Sequence, residues 1–509
     1  MDNYINKELS SIFIIFGGTG DLAKRKLIPA IYSLMYEEKL PKNFTIVSIG
    51  RQKKTYDEYR EEVREYVVKF SRFSLSEESW LKFSNKIFYK NFDFTTDYKG
   101  YKDINLFLET LEVKYLTGGK RIYYLAVAPE FFEAIIGNLK INAMVDRAVG
   151  WQRVMIEKPF GTSLKTARIL NDNISKLIPE KNIFRIDHYL GKEMIQNILA
   201  IRFANSLFEP LWNANYIDNI QITSYELLGV ESRGGYYENA GILKDMLQNH
   251  LLQMLTMIAM EPPVDFEPKS IRDEKVKVLR SLRPFTAESF KDNVVRGQYG
   301  TGETSGTKVV GYREENKVSR NSNTDTFIAL KTYIDNFRFG GVPIYIRAGK
   351  RMNTKNTEIV IQFKKLPGIN YYKEFDNIAS NLLVLKIQPG EGFFFQINAK
   401  KPGNEFKMEK VELDYCQSCN YSNDSPEAYE RLLLEAIRNN SSLFTRWDEL
   451  EYSWKFIESI EKEFKNNILS YPNYSAGTAG PREAIDLIEK DGRQWWNISS
   501  SKEEKHDNL

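Results

Sequence analysis

Residues 11–22 read SIFIIFGGTGDL. An apolar run stops at Gly17, Gly18, Thr19 and Gly20, and Asp21 and Leu22 then open a helical pattern continued by Leu27, Ile31 and Leu34. Strand, glycine turn, helix is the arrangement that cradles a diphosphate. Glycines let the backbone approach the phosphates, and the helix amino terminus offers free N–H groups at the positive end of a dipole. The spacing is GxxGDLA rather than the full GxGxxG, so the turn points to a dinucleotide fold through its strand and helix context. Pro29 is expected to kink or interrupt the helix.

The next strand-like run, residues 44–49, ends at Gly50 and Arg51, where a dinucleotide fold places the group that meets the adenosine ribose. An acid there suits the ribose diol of NAD. Arg51 instead attracts the extra phosphate of NADP, and Gln52 beside it hydrogen-bonds either form. NADP is the expected coenzyme, with NAD also accommodated.

Helical and strand-like patterns alternate through residues 56–70, 87–94, 103–115, 121–127, 129–143 and 152–156, then a helix over 163–177 leads to a strand over 182–186. Such alternation predicts an α/β domain, a doubly wound parallel (Rossmann-like) sheet with helices on both faces, over residues 1–186. The carboxyl ends of its strands converge on one crevice, and Lys158 of IEKPFG stands at such an end, held extended by Pro159.

Past residue 186 the texture changes. A strand-like run over 217–228 is followed by SRGGYYENAG and a long helix over about 242–260. Strand-like runs at 327–339, 343–346, 357–364, 382–388 and 393–398 then follow one another without a long helix between them. This reads as a larger α+β domain with a mainly antiparallel sheet, residues 187–497, before a disordered tail, 498–509. The free face of so broad a sheet needs covering, and self-association is one way to cover it. The glycine-rich segment 297–306 lacks a GK[ST] ending and reads as a flexible surface connection.

The length, 509 residues, exceeds one ordinary core and agrees with two domains. A net charge of +3, from 71 basic and 68 acidic residues, is too balanced for a nucleic-acid or membrane-surface binder. The apolar run 12–16 is too short to span a bilayer, and the amino terminus lacks a secretory pattern, which places the protein in the cytoplasm. Cys416 and Cys419 stand in CxxC spacing without a second such pair or paired histidines. They are expected as structural thiols, and no metal site is assigned.

Residues 185–193 read RIDHYLGKE. A helix beginning at about Asp187 sets His188 and Lys192 one turn apart on one face, where both reach a single bound anion with Tyr189 beside them. The chain has three histidines, and His506 lies in the tail, so a histidine base is His188 or His250. His250 falls on the stripe Leu243, Leu247, Leu251 and Met254, a setting that keeps an imidazole neutral. It reads either as a satisfied core histidine or as a base held by a carboxylate. Asp187 is the candidate carboxylate, since His188 is committed to the anion. Asp245 lies about 140° around an ideal α-helix from His250, poorly placed to pair with it but able to reach a large polyhydroxylated ligand from the side. Lys350 and Lys355 of IRAGKRMNTK follow a strand and add positive charge, although each alone reads as solvated.

FGGTGDLA, IEKPFG, RIDHYLGKE, KDMLQNH and YIRAGK stand in the order and setting of the glucose-6-phosphate dehydrogenase family, which the chain resembles over residues 11–497. The resemblance implies oxidation of D-glucose 6-phosphate to 6-phosphoglucono-1,5-lactone with reduction of NADP, the entry step of the pentose phosphate pathway. It also implies a homodimer or homotetramer with the large sheet at the interface. By the same resemblance His250 is the general base, oriented by Asp187, and His188, Tyr189 and Lys192 are the sugar-phosphate site. Glu226, Asp245, Lys350 and Lys355 match substrate contacts. Gly17, Thr19, Gly20, Asp21, Leu22, Arg51, Lys158 and Asp93 match the coenzyme site. Thr19 and the pair Arg51 and Gln52 resemble members that accept both coenzymes, which implies use of NAD as well.

Overall fold

The computed structural model describes residues 9–366, 378–420 and 425–496. The segment expected to be disordered, and His506 within it, lie outside them. The chain forms two compact units. The first comprises Met1–Glu193, Pro263–Asp273 and Asn423–Glu451, and the second Met194–Pro262, Glu274–Ser422 and Tyr452–Leu509.

In the first unit the strands β1 (Ser11–Phe16), β2 (Phe44–Gly50), β3 (Ile87–Asn91), β4 (Arg121–Leu125), β5 (Gln152–Ile156) and β6 (Ile183–Ile186) pair in parallel in the order β6-β5-β4-β1-β2-β3. This doubly wound order reverses direction between β1 and β4. Every residue of β1, β2, β4, β5 and β6 is buried, as a parallel sheet covered on both faces requires. Helices Tyr56–Phe70, Tyr98–Lys114, Phe132–Ile141 and Leu164–Ser175 lie near the predicted positions, and a further helix, Glu77–Ser84, opens on a capping box at Ser76 and Ser79. The helix after the glycine turn changes its bonding pattern near Pro29 while its backbone stays helical. A π-helical stretch, Ala23–Leu27, gives way to an α-helix, Ile28–Tyr36, with Pro29 in its first turn, where Pro29 has no N–H to continue the bonding series.

The sequence places a single boundary near residue 186, whereas the first unit also takes in two later stretches. An open parallel sheet leaves the edge of β6 exposed, and the short strand Phe444–Thr445 covers it by pairing antiparallel with Ile186 and Arg185. Just before it, helix Ala428–Arg438 ends against β5, where the Arg153 guanidinium donates to the carbonyls of Ala436 and Ile437 at 2.5 and 2.6 Å. The Arg72 guanidinium fixes the start of that helix through Glu430 at 2.7 Å. Contacts of this range carry no signal in local sequence.

In the second unit β7 (Ile217–Tyr225), β8 (Val294–Gly297), β9 (Tyr299–Gly300), β10 (Gly302–Thr304), β11 (Thr307–Val309), β12 (Phe327–Thr332), β13 (Ile344–Gly349), β14 (Asn356–Phe363), β15 (Leu382–Gln388), β16 (Gly392–Lys400) and β17 (Met408–Cys416) follow in turn. Eight of them form one sheet in the order β17-β16-β15-β14-β7-β13-β12-β8. It is antiparallel throughout except where β13 pairs in parallel with β7.

Two expectations need correction here. Segment 297–306 is not a loose connection: β9 pairs with Tyr474–Ser475, Tyr299 is fully buried, and β10 and β11 form a hairpin. A partner strand far along the chain turned glycine-rich sequence into packed structure. Cys416 and Cys419, expected as thiols, are joined by a disulfide, because the chain turns where β17 ends and the two Cα atoms come to 5.3 Å. Among the described residues no helix is long and apolar enough to cross a membrane.

Candidate functional site

In the first unit the parallel strands direct their carboxyl ends to one side of the sheet, so the segments beginning at Gly17, Arg51, Asp93, Lys158 and Asp187 all leave the sheet there. Gly17 has a φ of 84°, and a Cβ there would stand 2.2 Å from the Ala126 carbonyl oxygen, so only glycine fits where β1 and β4 part. The N–H groups of Gly17 and Gly18 donate to the Ile49 carbonyl at 3.0 and 2.8 Å, tying the turn to the end of β2. The Tyr59 hydroxyl fixes the Gly18 carbonyl at 2.7 Å. Thr19 and Gly20 are half-buried, Asp21 is exposed, and Leu22 lies in the opening turn, whose N–H groups lack intrahelical partners and present positive charge to an anion.

Arg51 and Gln52 are exposed, and the Gln52 carbonyl accepts the Tyr89 hydroxyl at 2.7 Å. Asp93 is bound by the hydroxyl and N–H of Thr95 at 2.5 and 2.9 Å. These bonds, with a smaller contribution from the charge of Arg51, hold its carboxyl below the usual range. Lys158 is half-buried and precedes a cis bond to Pro159.

The segment RIDHYLGKE differs from its expected form. No helix starts at Asp187. Its carboxylate takes the Tyr189 N–H at 3.0 Å, and the bonds Leu190 to Asp187, Gly191 to His188 and Lys192 to Tyr189 all span three residues. The α-helix begins only at Glu193. In a turn with three residues per repeat, Lys192 stacks on Tyr189 rather than lining up with His188, and the Lys192 ammonium lies 4.0 Å from the centre of the Tyr189 ring. An aspartate that bonds its own backbone two residues on favours such a turn over a helix interior.

The tight turn is held against helix Ala428–Arg438. A Cβ on Gly191 would meet the Ala428 carbonyl oxygen at 2.7 Å. We expect Gly191→Ala to lower unfolding free energy by about 1–3 kcal/mol, the usual cost of overpacking, as read from denaturant unfolding. An unchanged midpoint and slope would mean that this contact relaxes freely.

Tyr429, not singled out in the sequence, faces His188, and Glu157 holds it. The Tyr429 ring lies parallel to its imidazole, 6.4 Å between centres at 7°, and the Tyr429 hydroxyl donates to Glu157 at 3.3 Å. Glu157 also accepts the Tyr124 hydroxyl at 2.6 Å, and burial pushes its carboxyl up. Glu157 stood within the quoted IEKPFG. Tyr429 had no local signal, because only the later return of the chain brings it near.

In the second unit the expected long helix is present over Leu243–Ala259, but its first part is π-helical. Gly241, at φ 56° and ψ −178°, separates helix Gly234–Ile242 from a π-helical stretch, Leu243–Leu251, which passes into the α-helix Leu252–Ala259. Asn249 sustains the wide turn: its side-chain amide donates to the Lys244 carbonyl at 3.1 Å and its oxygen accepts the His250 N–H at 2.6 Å. The offset of about 140° expected for Asp245 holds only for an α-helix. Under i to i+5 bonding, residues five apart lie nearly above one another, so Asp245 and His250 share a side. Both are buried, His250 with 1% exposure.

Sheet register assembles the other charged groups. Tyr225, at the end of β7, pairs with Gly349 of β13 and with Asn356 of β14, so Glu226, Lys350 and Lys355 leave the sheet at the same end. Lys350 is 1% exposed, and its ammonium binds Asp245 at 3.0 Å and a Glu226 carboxylate oxygen. Burial opposes that charge, but the two carboxylates outweigh it and raise its pKa. The expectation of a solvated Lys350 therefore fails. Lys355 is exposed at the same end.

Two family models match the chain. "Glucose-6-phosphate dehydrogenase, NAD binding domain" covers residues 14–197 and "Glucose-6-phosphate dehydrogenase, C-terminal domain" residues 199–496. A glucose-6-phosphate 1-dehydrogenase of Bacillus subtilis is 46% identical over 493 residues, covering 97% of this chain and 99% of the relative. One of Chlamydia pneumoniae is 42% identical over 492 residues, covering 95% of each. A solved glucose-6-phosphate dehydrogenase in complex with its substrate glucose-6-phosphate superposes with a TM-score of 0.88 at 35% identity, over 96% of this chain and 99% of the other.

Proposed function

Because the chain belongs to the glucose-6-phosphate dehydrogenase family, we propose that it oxidises D-glucose 6-phosphate at carbon-1 to 6-phosphoglucono-1,5-lactone, using NADP and accepting NAD. The observation that carries this reading is the buried pair of Lys350 and Asp245, joined by the half-buried Glu226, with His250 on the same element as Asp245. A charged group is costly to bury, and a fold has no need of one at the end of a sheet. It suits a polyhydroxylated ligand: the carboxylates accept hydrogen bonds from hydroxyl groups, and Lys350 donates to them.

In this reading His250 takes the proton of the carbon-1 hydroxyl, and Asp187 holds the imidazole in the tautomer that can accept it. His188, Tyr189 and Lys192 bind the phosphate, with Glu226, Asp245, Lys350 and Lys355 around the sugar. The nicotinamide, when bound, supplies the acceptor for the hydride. The glycine turn fits such a coenzyme, since its opening turn presents N–H groups beside a backbone with no side chain at Gly17. Gly17, Thr19, Gly20, Asp21 and Leu22 hold the diphosphate, Arg51 and Gln52 the adenosine ribose and its phosphate, and Asp93 and Lys158 complete that site. A cytoplasmic location and self-association as a dimer or tetramer through the large sheet belong to the same proposal.

The experiment is the appearance of reduced nicotinamide with purified protein, comparing glucose 6-phosphate with glucose and NADP with NAD. Rapid reduction requiring the 6-phosphate is expected. No reduction by folded protein would overturn the reading. Lys192→Ala is expected to raise the KM for the sugar phosphate by about tenfold or more, the worth of a hydrogen bond to a charged group, with a smaller change in kcat. An unaltered KM would remove Lys192 from the phosphate site.

A further inference from the structure

Beyond the glycine turn, Glu62 of helix Tyr56–Phe70 binds two lysines at once: Lys24 at 3.1 Å through one carboxylate oxygen and Lys54 at 2.6 Å through the other. Lys24 belongs to the π-helical stretch that follows the glycine turn, and Lys54 to the loop that carries Arg51 away from β2. The lysine side chains are 12% and 22% exposed and that of Glu62 25%, so these pairs are shielded more than ordinary surface pairs. Lys24 also lies 4.9 Å from the centre of the Tyr66 ring. Partial burial pushes the Glu62 carboxyl up, but the bonds and charges of Lys54 and Lys24 outweigh it and hold the group below its ordinary value. Arg51 and Lys53, in the same loop, are exposed and make no ion pair among the described residues.

We propose that Glu62 is a specificity-determining residue for the coenzyme: it draws Lys24 and Lys54 away from the adenosine-ribose end and leaves the exposed Arg51 to set the contact with a 2′-phosphate. This rests on the coenzyme reading above. The 2′-phosphate of NADP is a dianion that NAD lacks. Two mobile ammonium groups beside Arg51 would favour it, whereas a carboxylate that neutralises one and anchors both moderates that preference and keeps NAD in use.

The test measures binding of 2′,5′-ADP and 5′-AMP to the full-length protein by calorimetry, beside the ratio of kcat/KM for NADP to that for NAD. Glu62→Gln is expected to tighten 2′,5′-ADP binding by about five- to thirtyfold, as a freed lysine gains a charged hydrogen bond, with 5′-AMP within about twofold. The gain should shrink as salt rises, and Lys54→Met should remove most of it in the double variant. An unchanged or lowered preference in folded Glu62→Gln protein overturns the proposal. Lys54→Met alone tests it independently: with Lys54 held away, the preference stays within about twofold of the parent, and a tenfold loss would show that Lys54 already meets the phosphate. Arg51→Ala separates this from the premise. Loss of the preference for 2′,5′-ADP supports the adenosine end assigned to Arg51, and its retention overturns that assignment whatever Glu62 does.

Discussion

Replacing His250 by asparagine is expected to lower kcat by at least about a hundredfold while leaving equilibrium binding of glucose 6-phosphate within about threefold, the pattern of a lost general base. The substitution is mild for the fold. His250 is buried in a π-helical turn whose wide backbone is held by the Asn249 side chain, and an asparagine retains a polar, hydrogen-bonding side chain of smaller volume. What it lacks is a nitrogen that accepts a proton near neutral pH. Steady-state rates with saturating coenzyme, beside calorimetric binding of the sugar phosphate, separate the two effects. The acid limb of the pH profile of kcat/KM should vanish with the imidazole. Turnover close to the parent's would move the base elsewhere, and a collapse of binding with kcat preserved would make His250 a substrate ligand.

The second large effect is on stability. Lys350→Met is expected to lower unfolding free energy by about 3–5 kcal/mol, because it leaves the buried carboxylate of Asp245, with the half-buried Glu226 beside it, without the cation that neutralises them. The loss should depend on pH in a definite sense. In the parent protein the folded-state pKa of Lys350 is raised, so its contribution is complete below the unfolded value of about 10.4 and fades only as pH rises through the folded one. In the variant two neighbouring negative charges remain without a cation between them, and acid relieves that repulsion, so the deficit should narrow as pH falls from neutral. Denaturant unfolding at pH 7 and pH 5 measures this, and an equal deficit at both would show that water or another cation takes over from Lys350. Paired replacement of Asp245 by Asn and Glu226 by Gln should recover part of the loss, since the uncompensated charges are then gone.

Local chemistry made much of the first unit legible. The pattern of β1, the glycine turn and the helix after it can be read from residues 11–34, because a glycine with a left-handed φ and a proline at a helix start are determined by the chain itself. The alternation of short apolar runs with amphipathic helices likewise determines a parallel sheet, and runs of strands without helices an antiparallel one. The site was legible only as a set of residues. RIDHYLGKE contains groups suited to an anion, but the turn they share was misread as a helix, since Asp187 as a side-chain partner of the Tyr189 N–H competes with the helical bond and sequence spacing does not show which wins.

By itself, therefore, the sequence determined the two kinds of sheet and the glycine turn, and it nominated Arg51 for the coenzyme and His250 for the base. Each depends on residues within a few positions of one another. Tertiary structure alone decided what these groups are next to. The parallel register of β7 and β13 carries Glu226 to Lys350, and the π-helical turn brings Asp245 round to the side of His250. The return of Ala428–Arg438 sets Tyr429 against His188, and helix Tyr56–Phe70 offers Glu62 to two lysines from different segments. The physical reason is the range of the forces involved. Backbone propensity acts over one turn and is written in neighbouring residues, whereas an ion pair or a buried cluster depends on burial, and burial is known only once distant strands have paired.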